Sequence, residues 1–245
     1  MSAIEAPDHR TRPVRFRWTS VSVSLIVAGL FLGSAVLQVA ASLQRWGGSW
    51  MRDGLSIEDH LFDYSFPSAP WEPIGTAAEL FGVGTLLLAF GVLVMPLGVL
   101  AETRADSRRG LAGFVVVVEV VLAFLVAGSF GVHGAHALVS GLTGTPSPLQ
   151  HSSALGLVGL VGLIALILLW GRKSQAAAVA CVFLIGSTGL GHILATYVIA
   201  PLIAGISHDT TPWSETVVAA STAAAGVAML IAAGATVRRR APRAA

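Results

Sequence analysis

Six long apolar runs, separated by polar segments, dominate the sequence and restrict what it can fold into. They cover residues 19–43, 76–100, 111–140, 154–170, 176–200 and 216–237. An α-helix rises 1.5 Å per residue, so about 20 apolar residues cross the ~30 Å hydrocarbon layer of a membrane. The sequence therefore predicts an all-α polytopic membrane protein whose six transmembrane helices form a single domain over residues 19–237.

The composition supports the same class. Hydrophobic residues make up 54% of the chain and charged residues 11%, against about 45–50% and about 25% in soluble domains. A soluble domain of this length would need more charge to cover its surface. The single cysteine, Cys181, lies inside an apolar run, which excludes a disulfide framework and a cysteine-based zinc site.

The positive charges predict the orientation in the membrane. Thirteen of the fifteen lysines and arginines lie in residues 1–18, 101–110, 171–175 and 238–245, and the remaining two are Arg45 and Arg52. Cytoplasmic connections carry this excess, so both termini are expected in the cytoplasm as basic tails, 1–18 and 238–245, with 44–75 as a long outer loop. The net charge of +2 then reflects topology rather than nucleic-acid binding.

The Gly-, Ala- and Arg-rich composition with a single lysine favours a bacterial source. The expected location is therefore the cytoplasmic membrane of a bacterium, with the lipid bilayer as the surrounding partner.

Ionisable residues inside the apolar runs are the first candidates for function. Glu119 lies about 12 Å into the third run, and a carboxylate at such a depth usually faces an interior or a water-filled path. His133 is 14 residues further on, nearly on the same helix face. We expect a proton or cation path lined by Glu79, Glu119, His133 and His192. The alternative is a neutral Glu119 that only packs, hydrogen-bonded to Ser187 or Thr188.

The histidines suggest a second kind of site. His133 and His136 are spaced i, i+3, so their rings can share a helix face. With a loop histidine, His151 or His208, they could hold a transition metal at the outer face. The alternative is that these histidines only make interfacial hydrogen bonds. Counted from the inner ends of their runs, His133 lies at about 33 Å and His192 at about 24 Å, a mismatch that argues against a haem between them.

Two further features concern the outer side of the chain. The outer loop carries a possible partner-binding surface made of Asp59, His60, Asp63 and Trp71. Within the fifth run, Gly189 and Gly191 could loosen or break the helix, as happens near the binding sites of transporters. Equally, they could only admit a close neighbour.

Three functions remain open, because the sequence contains no Walker A, GxSxG, HExxH or dinucleotide-binding motif. The first is a small permease or permease subunit for a cation or small polar solute, with a cytoplasmic ATPase or other subunit docked on its basic turns. The second is a membrane-embedded metal-dependent or redox enzyme with an outer-face site. The third is a scaffold or immunity-type protein that binds a partner through its outer loop.

Overall fold

The computed structural model describes residues 12–48, 51–52, 54–103, 111–151, 154–206 and 209–238, and it is all-α apart from one small hairpin. The long helices are α1 (Arg12–Trp46), α2 (Ala77–Thr103), α3 (Leu111–Thr143), α4 (Ala154–Trp170) and α8 (Ser214–Arg238). The bounds of each helix agree with one predicted apolar run to within three residues, except that α1 begins seven residues earlier than its run. The prediction of an all-helical protein is confirmed.

The fifth apolar run is a broken helix. It comprises α5 (Gln175–Leu184), a 3-10 turn (Ile185–Ser187), α6 (Gly189–Leu194), a π-helical turn (Ala195–Ile199) and α7 (Pro201–Ala204), and its two parts meet at a 65° bend. At the break Thr188 is extended, and its hydroxyl oxygen accepts from the Gly191 amide. A side chain at Gly191 would collide with the Gly186 carbonyl. The helix is broken beside Gly189, and Gly191 admits the close Gly186 backbone.

Helix length and hydropathy support a membrane protein with four or five spans among the described residues. Trp18–Trp46, Ala77–Ala101, Gly113–Thr143 and Ser214–Val237 are long and apolar enough to cross a bilayer, and the bent pair within 175–204 makes a fifth if it counts as one span. Helix α4 has 17 residues, about 25 Å of rise, which is at the lower limit for a span.

The six helical segments close into a ring. Helix α1 packs against α2 and α8, α2 against α3, α3 against α4, α4 against α5, and α5 against α8. Helices α2 and α3 approach most closely where Gly82 faces Gly134, since a Cβ at either position would come within 3 Å of the other helix's backbone. Small residues permit such contact where lipid gives helices no hydrophobic reason to associate.

The middle of the ring is filled by apolar side chains from all six segments. Fully buried members include Phe31, Leu88, Val126, Leu163, Leu166, Trp170 and Leu184, with Ala225 and Met229 from α8 packed beside them. In this conformation, packing closes the ring between its middle and the end that carries the 171–174 turn.

The two ends of the bundle differ, and we name them by their connections. The turn end carries the short connection 171–174. The loop end carries 47–76, 144–153 and 205–213. In the first of these loops a hairpin pairs β1 (Met51–Arg52) with β2 (Leu55–Ser56) in the register Met51↔Ser56, and a 3-10 turn (His60–Phe62) follows.

A buried arginine fastens the loop to the helices. Arg45, near the end of α1, lies 2.8 Å from Glu215 of α8 through Nη1, and its Nε donates to the Ile57 carbonyl at 3.1 Å. The Trp46 indole donates to the other Glu215 oxygen at 2.7 Å. Because each of these polar groups is buried with a partner, the contact fixes α1, α8 and the loop relative to one another.

Candidate functional site

A cavity of about 370 Å³ lies at the loop end. Its walls come from α3, the start of α4, the break in the fifth run, and residues 66–68 of the first loop. The polar lining residues are Ser68, Ser129, His133, His136, Ser187 and Thr188, and the apolar ones include Phe66, Phe130, Leu149 and Leu155. The cavity therefore combines imidazole and hydroxyl groups with an apolar wall, as small-molecule sites do.

Two histidines meet beside this cavity. The ring centres of His133, on α3, and His192, on α6, lie 6.2 Å apart. The ring centre of Phe66, from the loop, lies 4.5 Å from that of His133 and 4.9 Å from that of His192. The ring centre of Phe81, from α2, lies 5.5 and 6.3 Å from the same two rings. We call these residues the four-ring cluster. The expectation that His133 and His192 lie at different depths was wrong.

The error came from assuming that the helices begin at one level. Lys173, just before α5, lies 2.5 Å from Glu119 of α3, so α5 starts beside residue 119 and not beside residue 111. Measured from the level of Glu119, His133 lies 14 residues further along α3, which is about 21 Å. His192 lies 19 residues beyond Lys173, but the 65° bend in the fifth run reduces the depth that those residues span. The two rings consequently reach the same depth.

The histidine pair leaves polar atoms unsatisfied. Nε2 of His133 and Nε2 of His192 are enclosed by protein and have no hydrogen-bond partner among the described residues. A buried polar atom without a partner costs about 1–3 kcal/mol, and few native groups remain in this state. A ligand, ion or water bound between the two rings would satisfy both nitrogens.

His136 has a different role from its neighbour. Its Nε2 donates to the Pro67 carbonyl at 3.0 Å, and its Nδ1 lies 2.7 Å from the Ser147 hydroxyl. Both ring nitrogens are thus engaged, and they hold the loop against α3. To act as the predicted metal ligand beside His133, His136 would first have to lose one of these bonds.

The side chains of the two loop histidines predicted as metal ligands are not described by the structure. His208 lies outside the described residues, as does the side chain of His151. Among the residues that the structure describes, one group of three could hold a metal ion: Asp59, His60 and Asp209, on the loop surface. Their potential ligand atoms all lie within 4.8 Å of one another. The spacing of His133 and His136 in sequence gave no indication of this group.

Glu119 lies at the turn end, far from the histidines. Its side chain is 1% exposed and its Oε1 pairs with Nζ of Lys173, which is 29% exposed. The alternative partners considered from the sequence, Ser187 and Thr188, bond elsewhere: Ser187 to Thr222 at 2.9 Å and Thr188 to the Ile185 carbonyl at 2.7 Å. The buried carboxylate therefore joins α3 to the 171–174 turn.

Glu79 lies at the opposite end, in the first turn of α2. Its carboxylate packs over Gly141 of α3, where a Cβ would come within 2.8 Å of it. The four residues of the predicted path are thus divided: His133 and His192 are in contact, whereas Glu79 and Glu119 lie near the two ends of the bundle.

The residues predicted to form an outer binding surface are only partly on the surface. Asp59 and His60 are accessible. Asp63 shapes the turn that presents Phe66, since its Oδ1 accepts from the Ser65 amide at 2.9 Å and the Ser65 hydroxyl at 2.6 Å. Trp71 is buried, packed with Tyr64 and Phe81, so its ring stabilises the loop and offers no surface to a partner.

Tyr64 belongs to the same buried layer. Its ring is fully enclosed and lies 5.7 Å from that of Phe81. Burial raises the pKa of the Tyr64 phenol well above its usual value of 10.0.

Sequence reasoning missed several residues of the site. Phe66 and Phe81 carry no ionisable group, and Ser129, which donates to the Leu155 carbonyl at 2.7 Å, looked like one of many small residues in α3. The Phe-Pro-Ser sequence at 66–68, in a loop otherwise rich in charge, is the one signal that could have indicated a wall of the cavity.

Comparison with protein-family models, with curated proteins and with solved structures finds no match to this chain. The fold and the apolar helices define the class, an all-helical membrane protein. The function has to be argued from the cavity and the helices around it.

Proposed function

We propose that the chain is a small membrane permease, or the membrane subunit of one, that moves a cation or a small polar solute through the ring of helices. The cavity at the loop end is the observation that carries this proposal. It lies at a broken helix, presents imidazole and hydroxyl groups, and is separated from the turn end by the apolar core. Transporters bind their substrates at discontinuous helices of this kind and open alternately to the two sides.

The proposal includes an orientation. All six segments cross the cytoplasmic membrane of a bacterium, with α4 as a short sixth span, the loop end outside and both termini inside. The distribution of lysine and arginine supports this orientation. The basic sequences at 101–109 and 171–175 would then face the cytoplasm and could dock an ATPase or another subunit.

Within this scheme the structure corresponds to the outward-facing state. His133 and His192 bind the solute or carry a proton beside the cavity, and Glu79 lies at the same end of the bundle, outside the cavity lining. The Glu119–Lys173 ion pair closes the turn end, so Glu119 becomes free to act as a carrier only when that end opens.

Cysteine accessibility tests the proposal without knowledge of the substrate. In a Cys181→Ala background, which removes the only cysteine, Ser187→Cys places a thiol on the cavity wall. A membrane-impermeant maleimide is applied to oriented vesicles from each side in turn. A permease gives labelling from the loop side and, in its alternate state, from the turn side.

The matched control is Ser34→Cys in the same background. Ser34 is also buried, but it lies on α1, where its hydroxyl accepts from Gln38 at 2.9 Å, and it does not line the cavity. It should stay unlabelled from both sides. Labelling of Ser187→Cys from the loop side alone, or from neither side, would contradict a permease.

A second candidate, a membrane-embedded metal or redox protein, is favoured by the histidine pair itself. Two imidazoles bound to one tetrahedral ion through metal–nitrogen bonds of ~2.0–2.1 Å have ring centres about 5 Å apart. The ring centres of His133 and His192 are separated by 6.2 Å, so the rings would have to approach by about 1 Å to share an ion. This candidate predicts that the purified protein holds one equivalent more metal than the His133→Ala, His192→Ala variant, and that His136→Ala retains this equivalent. Colourless, metal-free protein would eliminate it.

A further inference from the structure

Three side chains from two separate loop segments meet on the surface of the loop end, away from the cavity. Nδ1 of His60 lies 3.3 Å from Oδ1 of Asp59 and 3.4 Å from Oδ2 of Asp209. Asp59 and His60 belong to the first loop, whereas Asp209 is in the connection before α8. The side chains are 37%, 64% and 42% exposed, respectively, so an ion in solution can reach them.

The spacing of these atoms fits a shared metal ion. Zinc binds histidine nitrogen at ~2.0–2.1 Å and carboxylate oxygen at ~2.0–2.2 Å in a tetrahedral arrangement, which puts neighbouring ligand atoms about 3.3 Å apart. Hydrogen bonds between nitrogen and oxygen are normally shorter, at ~2.7–3.2 Å. The two distances to His60 are therefore long for hydrogen bonds and suitable for ligands around one ion.

The carboxylates are held in place before any ion binds. Oδ1 of Asp59 accepts from the Leu61 amide at 2.8 Å, and Oδ2 of Asp209 accepts from the His60 amide at 2.7 Å. The two segments are joined as well by a backbone bond from Thr210 to Glu58 at 3.1 Å. Ligating carboxylates in metal sites are commonly oriented by such additional hydrogen bonds.

The donor set indicates which ion. One imidazole nitrogen with two carboxylate oxygens suits zinc and other divalent transition metals, whereas calcium and magnesium prefer oxygen ligands alone. Three protein ligands leave a fourth position open to water. The two carboxylates also balance the double positive charge of the ion.

We propose that Asp59, His60 and Asp209 form a binding site for a divalent transition metal, with Zn²⁺ the best fit, that clamps the first loop to the connection before α8. The site is distinct from the His133–His192 pair and stands independently of the permease proposal, because neither the cavity nor transport enters into its geometry.

Calorimetric titration of chelator-treated full-length protein in detergent with Zn²⁺ tests the site. One equivalent should bind, and Ca²⁺ should not compete. His60→Ala and Asp209→Asn should each weaken the affinity at least tenfold. Asp209→Asn is the informative change, because the amide oxygen can still accept from the His60 amide while the charge of the ligand is lost.

Glu72→Gln is the matched control, since Glu72 is an exposed carboxylate of the same loop outside the group. It should bind Zn²⁺ as the unchanged protein does. Absence of Zn²⁺ binding would overturn the proposal. So would binding that survives both His60→Ala and Asp209→Asn, because the ion would then lie elsewhere.

Discussion

The two ends of the bundle are closed by different kinds of interaction. At the turn end, large apolar side chains such as Leu166 and Trp170 fill the ring, and one ion pair, Glu119–Lys173, joins α3 to the turn. At the loop end, a fully buried polar centre around Arg45 positions the loop, and beside it a cavity remains. Apolar packing is non-directional and fills the space between the helices. Hydrogen bonds fix the orientation of the groups they join and can keep a space open beside them.

This contrast indicates where the molecule can move. Apolar packing has few directional bonds to break, so we expect helices to slide or tilt at modest cost once the Glu119–Lys173 ion pair opens. The loop end is tied by several buried hydrogen bonds that must break together. We therefore expect the turn end to be the part that opens and the loop end to be the rigid part that holds the site.

The largest expected effect is the loss of the loop anchor. Arg45→Met leaves the buried Glu215 carboxylate without its cation, and breaking a buried pair in this way costs about 3–5 kcal/mol. Unfolding in detergent should show this decrease, and hydrogen exchange should increase across 57–64. Arg52→Met is the control, because Arg52 is exposed and its Nη1 donates to the Pro73 carbonyl at 3.0 Å; it should change stability little. An equal effect of the two variants would contradict a special role for Arg45.

The next effect concerns the ion pair at the turn end. Lys173→Met removes the partner of buried Glu119 and should cost about 2–3 kcal/mol, as for a hydrogen bond to a charged group. It should also increase turn-side labelling of Ser187→Cys severalfold. Lys173→Arg keeps the charge and should label like the parent protein. Unchanged labelling in Lys173→Met would show that the ion pair does not control the opening of the turn end.

A smaller effect is expected where His136 holds the loop to α3. His136→Phe keeps a ring of similar shape but leaves the Pro67 carbonyl and the Ser147 hydroxyl without this partner, at a cost of about 1–2 kcal/mol. Hydrogen exchange should rise in 66–68, the segment that forms one wall of the cavity. Full retention of protection there would show that the loop is held by other contacts.

The smallest effect appears only at high pH. The folded protein keeps the Tyr64 phenol protonated because burial raises its pKa, whereas the unfolded chain ionises it near 10.0. The unfolded state is thus favoured above pH 10, and stability should fall there by up to about 1.4 kcal/mol per pH unit. Tyr64→Phe should flatten this part of the stability profile. A profile identical in the two proteins would contradict the buried, neutral phenol.

The fold could be predicted from the sequence largely because membrane helices are specified locally. The length and hydropathy of 111–140 or 216–237 are enough to define a helix, and Gly189 and Gly191 indicated the break. Much of the site depends on how helices align, which no local pattern encodes. His133 and His192 meet because α5 starts level with residue 119, and Arg45 finds a partner 170 residues away.

The Asp59–His60–Asp209 group could not be predicted for a related reason. Asp59 and His60 were predicted to lie in a binding surface, but their third member lies 149 residues further along the chain. The position of Asp209 beside the other two residues depends on how the connection before α8 folds back over the first loop. Short spacing in sequence, as in His133 and His136, was the wrong guide, because those two rings point to different partners.

Pulsed electron paramagnetic resonance between the turn ends of α3 and α5 tests most directly whether that end opens. Spin labels at Phe114→Cys and Val179→Cys, both exposed positions, would be introduced into the Cys181→Ala background. A permease that opens at the turn end gives two distances, the longer of which is more populated when Lys173→Met is added. A single distance, the same with and without Lys173→Met, would show that the turn end stays closed and would contradict the proposed transport cycle.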